Sequence, residues 1–232
     1  MVVWVVMGSL ASAGSPVSDQ MHERFQLLTE ARDAVVRGDL HPARNWAGLL
    51  IDLEDDGALK KKNKQFMVQL RSAAAAIELA RDLPSAAHAL GQTAAACGAC
   101  HTDLKRGPKL GMISEIPPPD WDQGENMLLH RWAMHWMWLG LIKGDDAAWT
   151  RGAKELTETP LEFRFGEEMP VYLQELEQRV YDLAGKALEA RDVQRGPLMG
   201  QLIATCSECH QKLEAGPESP DAVPIEPEAD SP

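Results

Sequence analysis

PSAAHALGQTAAACGACHTDLKRG (residues 84–107) and PLMGQLIATCSECHQKLEAG (residues 197–216) read as two versions of one helix. Each opens on a proline, ends on a glycine and carries Cys-x-x-Cys-His near its end: Cys97-Gly98-Ala99-Cys100-His101 in the first, Cys206-Ser207-Glu208-Cys209-His210 in the second. The chain's 4 cysteines are all used by these motifs. On a helix, positions i, i+3 and i+4 share a face, so both thiols and the histidine of each motif point the same way. This spacing is the attachment signature of c-type haem. Two thiols form thioethers with the porphyrin edge, and the histidine reaches the iron. Two copies with no spare thiol predict two covalently bound haem c groups, held by Cys97, Cys100, Cys206 and Cys209, with His101 and His210 as proximal iron ligands.

Other uses of paired cysteines compete. Two pairs can build one four-cysteine zinc site, but zinc does not need a histidine after the second cysteine of each pair. A dithiol redox motif follows a strand in its usual setting, and no strand pattern precedes either copy. Structural disulfides would leave both histidines unexplained.

The remaining sequence points to an all-α chain of 232 residues, 44% of them hydrophobic. Alanine, leucine and glutamate dominate, and β-branched residues rarely alternate with polar ones. The net charge is −12, which argues against nucleic acid as a partner and suits a basic redox protein. Solubility alone is an equally good reason for the charge. Val2 to Val6 and Leu10 are apolar, and Ala11-Ser12-Ala13 resembles a processing site. Residues 1–17 are therefore expected to be a signal-like segment, although a basic n-region is missing. That stretch is too short to span a bilayer, and no other membrane-spanning segment is expected. Export to a periplasm agrees with haem attachment, which takes place outside the bacterial cytoplasm.

Two halves follow: 18–107 and 125–213, joined by a linker (108–124) containing Pro117-Pro118-Pro119. The tail, 214–232, has six acids, five prolines and no Lys or Arg, and is expected to be disordered. Each half parses as four helices. In the first these are about 18–37, from His41-Pro42 to about 57, 64–81 and 84–107. In the second they are about 125–142, 145–157, one opening at Pro170, and one opening at Pro197. The first helices end alike, Arg37-Gly38-Asp39 and Lys143-Gly144-Asp145. Short connections favour antiparallel neighbours, so the expected fold is two tandem antiparallel four-helix bundles, each with a haem near the end of its last helix.

A four-helix unit with this motif near its end, followed by a basic residue (Cys100-His101-Thr-Asp-Leu-Lys105; Cys209-His210-Gln-Lys212), resembles the class II c-type cytochromes, the cytochrome c-prime group. The resemblance covers both halves, each shorter than a usual member. It implies the bundle fold and haem binding, and it leaves the sixth iron ligand open, since that ligand differs within the group.

In an antiparallel bundle the start of the first helix lies near the end of the last. The sixth-ligand candidates are therefore Met21 and His22 in the first half, and Met127, His130, Met134 and His135 in the second. His22 precedes Cys97 by 75 residues and His130 precedes Cys206 by 76, against 76 and 79 for Met21 and Met127. The histidine pair matches better, so His22 and His130 are expected to complete bis-histidine, low-spin sites. A hydrogen-bonded core histidine is the competing role for His130, and methionine ligation is the main rival. His41 and His88 read as surface or capping residues. The expected function is electron transfer. The alternative is a protein with a five-coordinate iron that binds nitric oxide or carbon monoxide, or acts as a peroxidase; no distal acid–base pair is evident for the last.

Overall fold

The computed structural model describes residues 16–53, 63–105, 107–108, 126–159 and 169–213. Residues 1–15 of the signal-like segment, Lys60 to Lys62, nearly all of the proline linker and the acidic tail lie outside these. All regular secondary structure among the described residues is helical: α1 (Pro16–Arg37), α2 (Leu40–Asp52), α3 (Lys64–Glu78), α4 (Leu83–Leu104), α5 (Asn126–Lys143), α6 (Asp146–Glu158), α7 (Val171–Leu188) and α8 (Asp192–Leu213). None of them is long and apolar enough to cross a membrane.

The local punctuation explains most ends. Gly38 and Gly144 adopt φ of 91° and 70°, a left-handed conformation that glycine enters at no steric cost, and there α1 and α5 stop. Asp82 caps α4 by accepting the Ser85 N–H at 2.8 Å. Helix α4 ends sooner than Gly107, because Lys105 takes up the left-handed cap at φ 51°. Helix α8 starts at Asp192, five residues before the proline expected to open it. Pro197 has no N–H to close a bond onto Val193, and Val193 is an exposed first-turn residue. That turn is instead secured by Gln194, whose N–H donates to the Arg191 carbonyl at 2.8 Å and whose Oε1 accepts the Arg191 N–H. The α7 stripe Leu173, Leu176, Val180, Leu183 and Ala187 is buried as helical spacing predicts; along α3 a stripe of Phe66, Leu70, Ala73, Ile77 and Ala80 read from the same spacing is buried at Leu70, Ile77 and Ala80 and half-buried at Phe66 and Ala73, and Met67 and Ala74 join it in the core.

The two halves are interlocked. Helices α4 and α8, which carry the two motifs, make the most extensive helix–helix contact in the molecule. Gly91 lies against Gly196 and Gly200, while Gly196 faces Ala95 and Gly200 faces His88, so the two helices run antiparallel. A Cβ on Gly91 would collide with the Gly196 carbonyl oxygen, and one on Gly200 would sit 2.8 Å from the His88 Cα. Across the halves, α5 packs on α4 and α1 packs on α8, more extensively than α1 meets α4 or α5 meets α8. One hydrophobic core, from Leu28 to Ile203, runs through both halves.

Candidate functional site

Each motif occupies the last turns of its helix, which puts its two thiols and its histidine on one face. All four cysteines are free and half-buried. Burial pushes the Cys97 and Cys206 thiols up to about 12, with their neighbours Cys100 and Cys209 adding to the rise. Burial likewise raises Cys100 and Cys209. Such thiols stay protonated at neutral pH, the opposite of the acidic thiolate that a disulfide-exchange motif requires. Among the described residues no three His, Cys, Asp or Glu side chains converge on a metal-sized site, so the cysteine pairs do not assemble a four-cysteine zinc centre.

The histidines are held in a reciprocal arrangement. His101 Nδ1 donates to the Ile142 carbonyl at 2.7 Å. His210 Nδ1 donates to the Val36 carbonyl at 2.9 Å. Both carbonyls belong to the last turn of a helix, α5 and α1 respectively, where no following N–H of the helix reaches them. The imidazole N–H satisfies an acceptor that the helix itself leaves open. Donation from Nδ1 fixes the neutral tautomer and leaves the Nε2 lone pair for another partner. Metal-binding histidines are oriented by this kind of bond. Burial pushes the His101 pKa below its ordinary value, against the pull of the Ile142 carbonyl, which favours the neutral ring, the form of imidazole able to ligate a metal.

Helix α1 reaches both motifs. Near its start, buried Arg24 is the cation that acts on the Cys97 thiol; near its end, Val36 holds His210. At 1.5 Å per residue the two points are about 18 Å apart along the helix. Between them Arg32 stacks over Trp138 of α5 at 5.1 Å.

The proposed sixth ligands fare differently from the proximal pair. His22 is exposed. His130 is 7% exposed, and its Nε2 donates to the Thr159 carbonyl at 2.9 Å. The hydrogen-bonded core histidine, weighed above as the competing role, is therefore the arrangement found. The matching helix ends at Gly38 and Gly144 put equivalent residues of α1 and α5 106 positions apart, while His101 and His210 are 109 apart. His130 thus corresponds to Arg24, also buried, and His22 to Leu128. Met21 corresponds to Met127, the former half-buried and the latter exposed. Similar separations of His22 and His130 from their motifs conceal a three-residue difference between the halves. His135 lies beside Arg32 and Asp33 of α1. His41 and His88 are exposed, as expected.

The carbonyls of Val36 and Ile142 were not legible in the sequence, because any residue type offers the same acceptor. Arg24 carries no motif of its own, and only its place on the buried stripe of α1 with Leu28, Ala31 and Val35 marks it. A groove of about 460 Å³ lined by Leu83, Arg179, Lys186, Ser207 and Glu208 lies elsewhere, on the face of α8 opposite its cysteines. No family model matches this chain, and neither a curated protein nor a solved structure matches it.

Proposed function

We propose that this protein is an exported di-haem c-type cytochrome that carries electrons, built as two haem-bearing four-helix units like those of the cytochrome c-prime group. The observation that supports this reading best is the pair of Nδ1–H bonds, His101 to Ile142 and His210 to Val36. Two motifs that share little sequence beyond Cys-x-x-Cys-His prepare their histidines in the same way. Cys97, Cys100, Cys206 and Cys209 would hold the haems covalently, and His101 and His210 would bind iron through Nε2. When bound, each haem supplies an iron that cycles between ferric and ferrous states. The protein's part is to aim each imidazole through its Nδ1–H bond and to surround it with helix. A basic redox protein is the partner that the net charge of −12 favours.

A second reading has its own support. His22 is exposed and the His130 Nε2 is committed to Thr159, so neither histidine is presented as a sixth ligand. That favours methionine ligation, with Met21 and Met127 at equivalent positions, or an open iron that binds nitric oxide or carbon monoxide.

The decisive experiment is expression with a c-type maturation system, then haem quantitation by pyridine haemochrome, with absorption and EPR spectra of both redox states and carbon monoxide added to the reduced protein. Two covalent haems per chain are expected. Low-spin spectra indifferent to carbon monoxide would support electron transfer. A high-spin signal that shifts with the gas would favour the open iron, and a chain without covalent haem would overturn both readings.

A further inference from the structure

We infer that each proximal histidine is positioned in trans: the helix end of one half sets the electronic character of the haem carried by the other. The inference rests on the haem reading above. Its ground is the crossed bonding, in which His101 of the first half is held by Ile142 of the second and His210 of the second by Val36 of the first. Neither half closes this bond within itself.

The crossing is built into the packing. Immediately after Ile142 the chain turns at Gly144, where a Cβ would collide with the Thr102 hydroxyl, one residue after His101. Immediately after Val36 it turns at Gly38, where a Cβ would lie 2.8 Å from the Gln211 Cγ, one residue after His210. Gly98, inside the first motif, is equally constrained, because a Cβ there would strike the Leu141 carbonyl oxygen. Each helix end is thus seated on the opposite motif, that of α5 against the Thr102 hydroxyl and that of α1 against the more adaptable Gln211 side chain.

The chemical consequence follows from the bond itself. A carbonyl that accepts the Nδ1 proton makes the imidazole a stronger donor through Nε2. Stronger donation stabilises ferric over ferrous iron and lowers the reduction potential. The carbonyls at a helix C-terminus also carry the negative end of its dipole, which acts in the same direction. Moving a helix end outward weakens the bond and raises the potential of the haem in the other half. Val36, Gly38, Ile142 and Gly144 are positioning elements, since they act through the histidines.

The test is a redox titration of the two-haem protein and two variants, Gly144→Ala and Gly38→Ala. The two waves are assigned with a chain that keeps only the first motif (Cys206→Ala, Cys209→Ala). Gly144→Ala is expected to raise the potential of the His101 haem and leave the other unchanged; Gly38→Ala should do the reverse. Adding Thr102→Ala to Gly144→Ala removes the colliding hydroxyl but not the strain of alanine at φ 70°, and should bring the potential part of the way back. Gly185→Ala on α7, where an added Cβ meets nothing within 4 Å, serves as the control for an added helical methyl and should move neither wave. Should Gly144→Ala shift the His210 haem, both haems equally or neither, positioning in trans is overturned while the haem reading stands. A chain that takes up no haem overturns both together.

Discussion

The first half of this molecule fills its interior with alanine, while the second fills it with tryptophan, methionine and leucine. Ala31, Ala34, Ala43 and Ala47 are fully buried in α1 and α2, and Met137, Gly140, Trp149 and Ala153 hold the corresponding places in α5 and α6. The lesson is that motif placement and helix order do not require a common core. Alanine lets helix axes approach closely and buries little area per residue, whereas tryptophan buries far more. What the halves do share is concentrated at their contacts: glycine where α4 crosses α8, glycine at the ends of α1 and α5, and one imidazole on each facing carbonyl.

The sharpest test of this difference is Trp149, which is fully buried and donates from Nε1 to the Ala187 carbonyl at 2.8 Å. Its counterpart is Ala43. Trp149→Ala should destabilise the protein by about 3–5 kcal/mol, measured by urea unfolding. A loss below about 1 kcal/mol would mean that the second half collapses into the alanine-type core of the first.

Next in size is His130. His130→Phe keeps an aromatic ring, slightly larger, but removes the Nε2 donor from the Thr159 carbonyl, while the Tyr181 hydroxyl, 3.4 Å away, lies closer to Glu177 at 2.8 Å. The expected cost is about 1–3 kcal/mol, and under the haem reading proposed above the spectra should not change. Conversion of one haem to high spin would instead identify His130 as its ligand and restore the histidine pairing read from the sequence.

A smaller effect concerns pH. Burial, then Arg32, and less strongly Arg131, push His135 down to about 4, against the pull of Asp33. The unfolded chain takes up this proton near pH 6.5, whereas the folded chain resists until about 4. Stability is therefore full above pH 6.5 and lost as pH falls through that window. In His135→Gln the fall between pH 6.5 and 4 should be shallower, as read from unfolding midpoints across pH. The first half, with Thr29 at the corresponding place, contributes no equivalent.

The smallest predicted effect is the most direct comparison. Asp39 and Asp145 follow the same basic-Gly pair, yet only Asp145 caps its helix, accepting the N–H groups of Ala147 and Ala148 at 3.1 Å. Asp39 makes no cap bond and pairs with Arg37 at 3.3 Å. Pro42, at the third helical position, has no N–H to offer, which removes one of the two kinds of bond that Asp145 makes. Asp145→Ala should cost about 1 kcal/mol and Asp39→Ala less than about 0.5 kcal/mol, by urea unfolding. Burial works to raise the Asp145 pKa, but the Ala148 N–H, Lys143 and the Ala147 N–H outweigh it and hold the carboxyl below its ordinary value. Its contribution is therefore present above about pH 3.9 and lost as pH falls through the lower folded value. Equal losses at the two sites would show that the aspartates do not differ.

The sequence by itself determined what depends on neighbours along the chain: helical character, the stops at Gly38 and Gly144, the stripe of α7, and the motif faces with their thiols and histidines. These follow from helical period, backbone sterics and residue type within a few positions, and they were legible. The limit of that local reading lies at Pro197, which falls inside α8. Only the tertiary structure decided which carbonyl meets His101 and which meets His210, that α1 and α5 cross to the opposite half, and that His130 turns to Thr159 while His22 faces outward. Those outcomes depend on partners 29 to 174 residues away and on backbone atoms common to every residue, so no local pattern could encode them.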